Sequence, residues 1–373
     1  MPLSFRIQAR DGKARRGTIE TPHGCFDTPA FMTVGTRATV KALTPDQLRE
    51  AQAQVLLANT YHLMLRPGES IIEKMGGLHS FMNWNGPILT DSGGFQIFSL
   101  GNLVDIGDEG VVFTSHYDGS RHAVSPHRAM EIQRALGADM VMAFDQCSDY
   151  PFEYDQSRAC VERTLRWARA CKEVPLKPHQ TLLGIVQGST YEDLRAEATE
   201  RLIEMDFEAY AIGGLAVGEP RDEFQRILAH GAPLLPDDRP RYLMGVGPPS
   251  DLFFAIAQGV DMFDCVIPTR HARNNQAFTW QGRKNLRNAI YTEDPGPLDP
   301  DCQCSTCQHF SRAYLSHLVR AREMLGATLL SLHNVHFFQD LMQRTRQAIE
   351  ESRFESFTRS VIERMQSESK RAP

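Results

Sequence analysis

Eight times along the chain, an apolar run of strand length ends in glycine or a polar residue and gives way to a helical stretch. The runs are FMTVGT (31–36), VLLANTYH (55–62), PILTDSGG (87–94), DMVMAFDQ (139–146), LLGIVQG (182–188), AYAIGGLAVG (209–218), RYLMGVG (241–247) and MFDCVIP (262–268). Strands buried on both faces read as continuous apolar runs, so these predict a parallel sheet. The intervening stretches suit helices. Residues 190–205 carry Leu194, Ala198, Leu202 and Met205 at helical spacing, and PSDLFFAIAQG offers Ser250 as N-cap and Gly259 as stop. Eight βα units predict an α/β chain folded as a (β/α)8 barrel. The rival, a doubly wound sheet, lacks the expected G-x-G-x-x-G at its first helix.

A barrel carries its functional groups at the C-terminal ends of its strands. Those ends hold Asn59, Asp91, Asp145, Gln187, Gly214, Gly245 and Asp264. Three carboxylates, an amide and glycine-rich backbone are thus expected at one mouth. The bland alternative is that each aspartate caps the following helix. A hydrolytic metal centre needs several histidines, and only His62 lies near a strand end. Two carboxylates at an anomeric carbon would instead suit a glycosyl transfer with retention, one attacking and one moving a proton. Asp and Gln together can read a purine edge, with Phe95 and Met244 as apolar faces above and below it.

The cysteine-rich string DCQCSTCQHF (301–310) spaces Cys302, Cys304 and Cys307 as C-x-C-x2-C. The first residues, MPLSFRIQARDGKARRG, lack the apolar core of a secretory signal, and no apolar run approaches the ~18 residues of a membrane span. The expected compartment is the cytoplasm, where thiols or metal ligation outweigh disulfides. A thioredoxin-like redox setting is missing. Tetrahedral zinc wants four ligands, and His309, His317, His333 and His336 are the downstream candidates. His309 is close for loop closure and His317 sits in a helical stretch, while His333 opens the last helical region.

The chain's formal charge of -6 argues against wholesale nucleic-acid binding, yet the sign reverses locally. Between Cys265 and Thr292 stand Arg270, Arg273, Arg283, Lys284 and Arg287, with no acid. Such a stretch suits phosphate contacts.

TDSGGFQIFSLG, GIVQGS, YAIGGLAVGE, RYLMGVG, MFDCVIPTR, the cysteine cluster and the later LHN closely resemble the bacterial tRNA-guanine transglycosylases. The resemblance runs in order over nearly the whole chain. It implies a barrel over residues 1–295, a zinc-binding subdomain over 296–335, and a helical segment over 336–373 that completes the barrel. It further implies exchange of the wobble guanine in GUN-anticodon tRNAs (Asp, Asn, His and Tyr type) for 7-aminomethyl-7-deazaguanine, a step in queuosine synthesis. By the same resemblance Asp264 matches the nucleophile and Asp91 the proton-shuttling carboxylate. Phe95, Asp145, Gln187, Gly214, Leu215 and Met244 match the base-binding groups, and Arg270 and Arg273 are the RNA contacts. One structural Zn2+ per subunit would be held by Cys302, Cys304, Cys307 and His333.

A homodimer is implied around Phe310, Tyr314 and His317, and no membrane association. Cys147 and Val217 match the bacterial base preference. Departures from the family pattern are Thr33, Ala58, Gln146, His271 and Asn275, of which Gln146 replaces a common acid beside the base pocket. The alternative, a non-catalytic RNA-binding partner of the same fold, is disfavoured because both Asp91 and Asp264 are present.

Overall fold

The computed structural model describes residues 3–147 and 150–369. Eight parallel strands close into a barrel: Ala30–Val34 (β1), Leu56–Ala58 (β2), Ile88–Thr90 (β3), Met140–Met142 (β4), Thr181–Val186 (β5), Tyr210–Ile212 (β6), Arg241–Leu243 (β7) and Met262–Cys265 (β8). Each pairs with its sequence neighbours, and β8 returns to β1 through Met262–Ala30 to Cys265–Thr33. All eight expected units are therefore strands of one (β/α)8 barrel.

The physical basis is two-sided burial. In β5 every residue of TLLGIV is buried. Inward side chains, among them Met32, Leu89, Met140, Met142, Leu183, Tyr242 and Met262, fill the barrel interior. The opposite faces of the strands pack on the outer helices, as Phe144 does by stacking on Trp167 of helix Tyr154–Lys172 at 4.9 Å. Burial of that many apolar side chains, at roughly 1.5–3 kcal/mol each, is the dominant favourable contribution.

Among the described residues, two three-stranded antiparallel sheets and one two-stranded hairpin, Gln276–Thr279 with Gly282–Asn285, lie outside the barrel series. Ser4–Asp11, Ala14–Thr21 and Gly24–Thr28 form one, and its Ile19 and Phe26 join the interior cluster at the N-terminal end of the barrel. A buried ion pair, Arg15 with Asp261, fastens this sheet beneath β8, and Asp261 also accepts the Arg241 N–H at 2.7 Å. Val104–Ile106, Val111–Thr114 and Arg121–Val124 form the second sheet.

Helix Pro249–Ala257 corrects one expectation. Ser250 lies inside its first turn, and Pro248 stands at the N-cap, since proline at the first helical position already has the required φ. Gly259, at φ +88°, does follow the helix end. His333 does not open the last helical region either. It lies in the third turn of a 27-residue helix, Met324–Glu350, which runs through position 335/336 without a break. Among the described residues no helix is long and apolar enough to cross a membrane.

Candidate active site and metal-ligating cluster

The strand ends converge as the barrel demands. A cavity of about 380 Å³ is lined by all seven expected groups, Asn59, Asp91, Asp145, Gln187, Gly214, Gly245 and Asp264, together with Phe95, Leu215 and Met244. None of the three aspartates caps its own following helix: Gly93, Glu153 and Val266 occupy those N-cap positions. The carboxylates are therefore free to serve the cavity.

Asp91 follows β3 directly and is buried. Its Oδ1 accepts the Thr60 N–H at 2.8 Å, Asn59 Nδ2 donates to Oδ2, and the Thr60 hydroxyl donates to the Asp91 carbonyl at 2.6 Å. Burial raises its pKa to about 6; the bonds from Asn59 and Thr60 work against the shift, and the charge of Asp264 adds to it. A carboxyl so tuned changes protonation readily near neutral pH.

Asp264, at the end of β8, keeps part of its surface open to the cavity. Its Oδ1 accepts from the Tyr242 hydroxyl at 2.6 Å and from the Gly245 N–H at 2.8 Å. Burial raises its pKa as well, and those two donors oppose the rise. With Oδ1 doubly engaged, Oδ2 is the oxygen left open to a ligand. Asp145 accepts from Ser92 Oγ at 2.9 Å and from Gln187 Nε2 at 2.7 Å, and its pKa too is raised by burial. Gln187 Oε1 is buried and has no partner among the described residues. A ligand with a polar edge would complete it.

Glycine is required where the β6 loop meets this amide. Gly214 has φ +61°, and a Cβ there would lie 2.3 Å from Gln187 Oε1. The loop is pinned from below by Arg195, fully buried, whose Nη2 donates to the Gly213 and Gly214 carbonyls at 3.0 and 3.1 Å. Burial pushes the Arg195 pKa down to about 10, so it stays cationic. Glu219 Oε2 accepts the Val217 N–H at 2.9 Å and fixes the far end of the loop. Phe95, 56% exposed, stands at the cavity rim as an unburied aromatic face.

Sequence reasoning missed Tyr242, Ser92 and Arg195, although Tyr242 and Ser92 lie inside motifs it singled out. Their signal was there for Tyr242: the middle of a three-residue strand whose ends are Arg241 and Leu243 faces inward. Cys147 and Val217 both line the cavity. Gln146 does not, because its Oε1 accepts from Arg163 Nη1 at 2.5 Å and its carbonyl from Cys160 Sγ. Thr33 and Ala58 are buried in β1 and β2.

Helix Ile267–Arg273 follows Asp264 immediately and exposes Arg270 and Arg273 outside the cavity. The pKa of Lys41 is lowered by burial and then by the charges of Arg273 and Arg37. His271 bonds Gln276 Oε1 through Nδ1 at 2.7 Å, and Asn275 adopts φ +65° at the turn into the hairpin Gln276–Asn285.

The cysteines and one histidine meet in a buried cluster. The sulfurs of Cys302, Cys304 and Cys307 lie 3.5, 3.6 and 3.3 Å from His333 Nδ1, and the four residues could hold one metal ion. His333 Nε2 donates to the Phe278 carbonyl at 2.6 Å, which leaves Nδ1 as the lone-pair nitrogen. His336 Nδ1 is 3.6 Å from Cys302 only, while His309 and His317 lie outside the cluster. The adjacent Asn334 accepts the Phe278 N–H and donates to the Pro268 and Gln276 carbonyls at 2.9 and 3.0 Å. One helical turn thus ties the cluster to the helix that carries Arg270 and Arg273.

A family model described as Queuine tRNA-ribosyltransferase matches residues 11–367. The chain is 54% identical over 360 residues to the queuine tRNA-ribosyltransferase of Zymomonas mobilis, covering 95% of this chain and 93% of that protein. The corresponding protein of Halothermothrix orenii is 53% identical over 353 residues (94% and 95% covered), and that of Acetivibrio thermocellus 54% over 351 (94% of each). With the barrel, the carboxylate-lined mouth and the cysteine–histidine cluster in the same chain, these matches place it among the pentosyltransferases: it belongs to the queuine tRNA-ribosyltransferase family.

Proposed function

We propose that the protein exchanges a guanine base of tRNA within queuosine biosynthesis, and specifically the wobble guanine of GUN anticodons for 7-aminomethyl-7-deazaguanine. The observation that carries the reading is the shared cavity: a carboxylate with one unengaged oxygen, a second with a pKa near neutrality, and an Asp–Gln pair with an unfilled acceptor.

In this scheme the target guanine leaves its stack and enters the cavity. Asp145 accepts from its N1–H and exocyclic amine, the second N–H of Gln187 Nε2 donates to its O6, and Gly214 and Leu215 let the ring approach the backbone. Phe95 and Met244 supply its apolar faces. Asp264 Oδ2 attacks ribose C1′ as the bond to N9 breaks, and Asp91 delivers a proton to the departing base. The incoming base then returns a proton to Asp91 and attacks C1′, expelling Asp264. Two inversions give net retention, and the ester keeps the RNA backbone continuous between the steps.

Arg270 and Arg273 would hold phosphates beside the nucleophile. For the metal we infer structural Zn2+. Tetrahedral zinc with bonds of about 2.3 Å to sulfur and 2.0–2.1 Å to nitrogen separates those atoms by roughly 3.5 Å, matching the cluster. Bound there, zinc would fix the helix that carries His333 and Asn334, and thereby the RNA-facing helix. The ion would have no role in the chemistry, since all four positions are protein ligands. Phe310 and Tyr314 stack at 5.5 Å and Tyr314 is 40% exposed, which suits the contact of a homodimer. The setting would be cytoplasmic, where tRNA is found.

Release of labelled guanine from tRNA on addition of 7-aminomethyl-7-deazaguanine tests the reading. Release from GUN-anticodon tRNAs alone is expected. No release from folded, zinc-loaded protein would overturn it.

A further inference from the structure

Far from the mouth, three residues on separate elements converge at the N-terminal end of the barrel. His23 sits in the turn between strands Ala14–Thr21 and Gly24–Thr28, His79 in helix Gly77–Met82, and Asp139 just before β4. Their positions in the sequence give no hint of contact. His23 Nδ1 lies 2.6 Å from Asp139 Oδ1 and His79 Nε2 lies 3.1 Å from Oδ2, so the imidazoles address different oxygens of one carboxylate. The two rings stack with centroids 3.7 Å apart and planes 15° off parallel. A third imidazole, His179, stands edge-on to His23 at 5.5 Å.

We propose that His23, His79 and Asp139 form a second metal site, for a divalent ion of the Zn2+ class, that clamps the N-terminal sheet to the barrel. Two nitrogens and one carboxylate oxygen suit such an ion, and their ligand atoms all lie within 4.8 Å of one another. A tetrahedral ion with bonds near 2.0–2.1 Å separates its ligands by about 3.3 Å. The two contacts, 3.1 Å from His79 to Oδ2 and 2.6 Å from His23 to Oδ1, fall on different oxygens and the rings are stacked, so an ion shared by both imidazoles requires the His23 ring to swing out of the stack toward the oxygen that His79 addresses.

His23 can supply that movement and the entry path, because its side chain is one-third exposed while Asp139 is buried. Asp139 is also prepared as an anionic ligand. The Ile88 N–H, 2.9 Å from Oδ2, fixes the carboxylate as an outer-shell donor does at a metal site. A three-residue set leaves a position for water or for His179. In the absence of an ion, two stacked imidazoles bonded to one carboxylate are held by hydrogen bonds alone, so metal content separates the alternatives.

The test loads wild-type protein with Zn2+, removes loosely held ion by gel filtration, and counts metal per chain. The expected value is two for wild type and one for both His23→Ala and His79→Ala. Co2+ distinguishes the sites: thiolate charge-transfer bands report the cysteine cluster, and the second equivalent should add only weak visible d–d absorption, lost in both variants. If His79→Ala fails to fold, the exposed His23→Ala carries the test alone. Saturation of wild type at one equivalent overturns the proposal, as does a second equivalent that survives in His23→Ala.

Discussion

Tyr242→Phe removes one oxygen atom and nothing else from the barrel wall, yet it should change how the enzyme responds to pH. Tyr242 is buried and its hydroxyl donates to Asp264 Oδ1 at 2.6 Å; among the described residues the other donor to that oxygen is the Gly245 N–H. A hydrogen bond to a charged group contributes about 1.5–3 kcal/mol, and at 1.36 kcal/mol per unit its loss raises the Asp264 pKa by about 1–2 units.

The sign follows from linkage. Burial already lifts the folded-state pKa of Asp264 above its unfolded value, so ionisation of this group opposes folding as pH rises. In Tyr242→Phe the lift is greater. The stability gap between the two proteins should be smallest below the unfolded carboxylate pKa of about 3.9, open as pH rises through the wild-type folded pKa, and be complete above that of the variant, at about 1.5–3 kcal/mol. Denaturant melts across pH 4 to 8 measure the gap. The pH profile of kcat/KM for base exchange measures the same shift, because in the proposed mechanism its acid limb reports the ionised Asp264 of the free enzyme. A gap that does not change with pH, together with an unmoved acid limb, would refute the assignment of Tyr242 as the residue that tunes Asp264.

Three further outcomes follow from particular contacts. Gly214→Ala places a Cβ against Gln187 Oε1 at a positive φ, so it should raise KM for the free base by at least about tenfold, with about 1–3 kcal/mol of strain in the fold. Binding of base measured by calorimetry checks it. His333→Ala should lower metal content by one equivalent and loosen the helix holding Arg270 and Arg273, which elemental analysis and thermal melting will register; unchanged content would move the fourth ligand to His336. Arg273→Ala should weaken tRNA binding and reduce the slope of log K against log salt by about 1, while base binding is unaffected.

The barrel was legible because two-sided burial makes each strand a mostly apolar run, and the strand ends could then be aligned to predict the contents of the mouth. What the sequence concealed has physical reasons. Ser4–Asp11 alternates exposed with half-buried positions, and its sheet covers one end of the barrel, so no apolar run marks it. His333 looked like a helix start because polar and apolar residues mix before it, whereas the helix begins at Met324, a residue left 86% exposed. Tyr242, Ser92 and Arg195 act on groups from other strands, and only closure of the barrel brings them together. His23, His79 and Asp139 show the same limit more sharply, since nothing in their spacing announces a cluster. Gln146 carries the opposite lesson: a departure beside the pocket in sequence turns its side chain toward Arg163.

The proposed covalent role of Asp264 is tested most directly by trapping. Wild-type protein incubated with tRNA and quenched in denaturant should run as a protein–RNA adduct, and the adduct should disappear on addition of excess 7-aminomethyl-7-deazaguanine. Asp264→Asn, folded and metal-loaded, should give none. An adduct of undiminished yield in Asp264→Asn would place the nucleophile elsewhere and contradict the account.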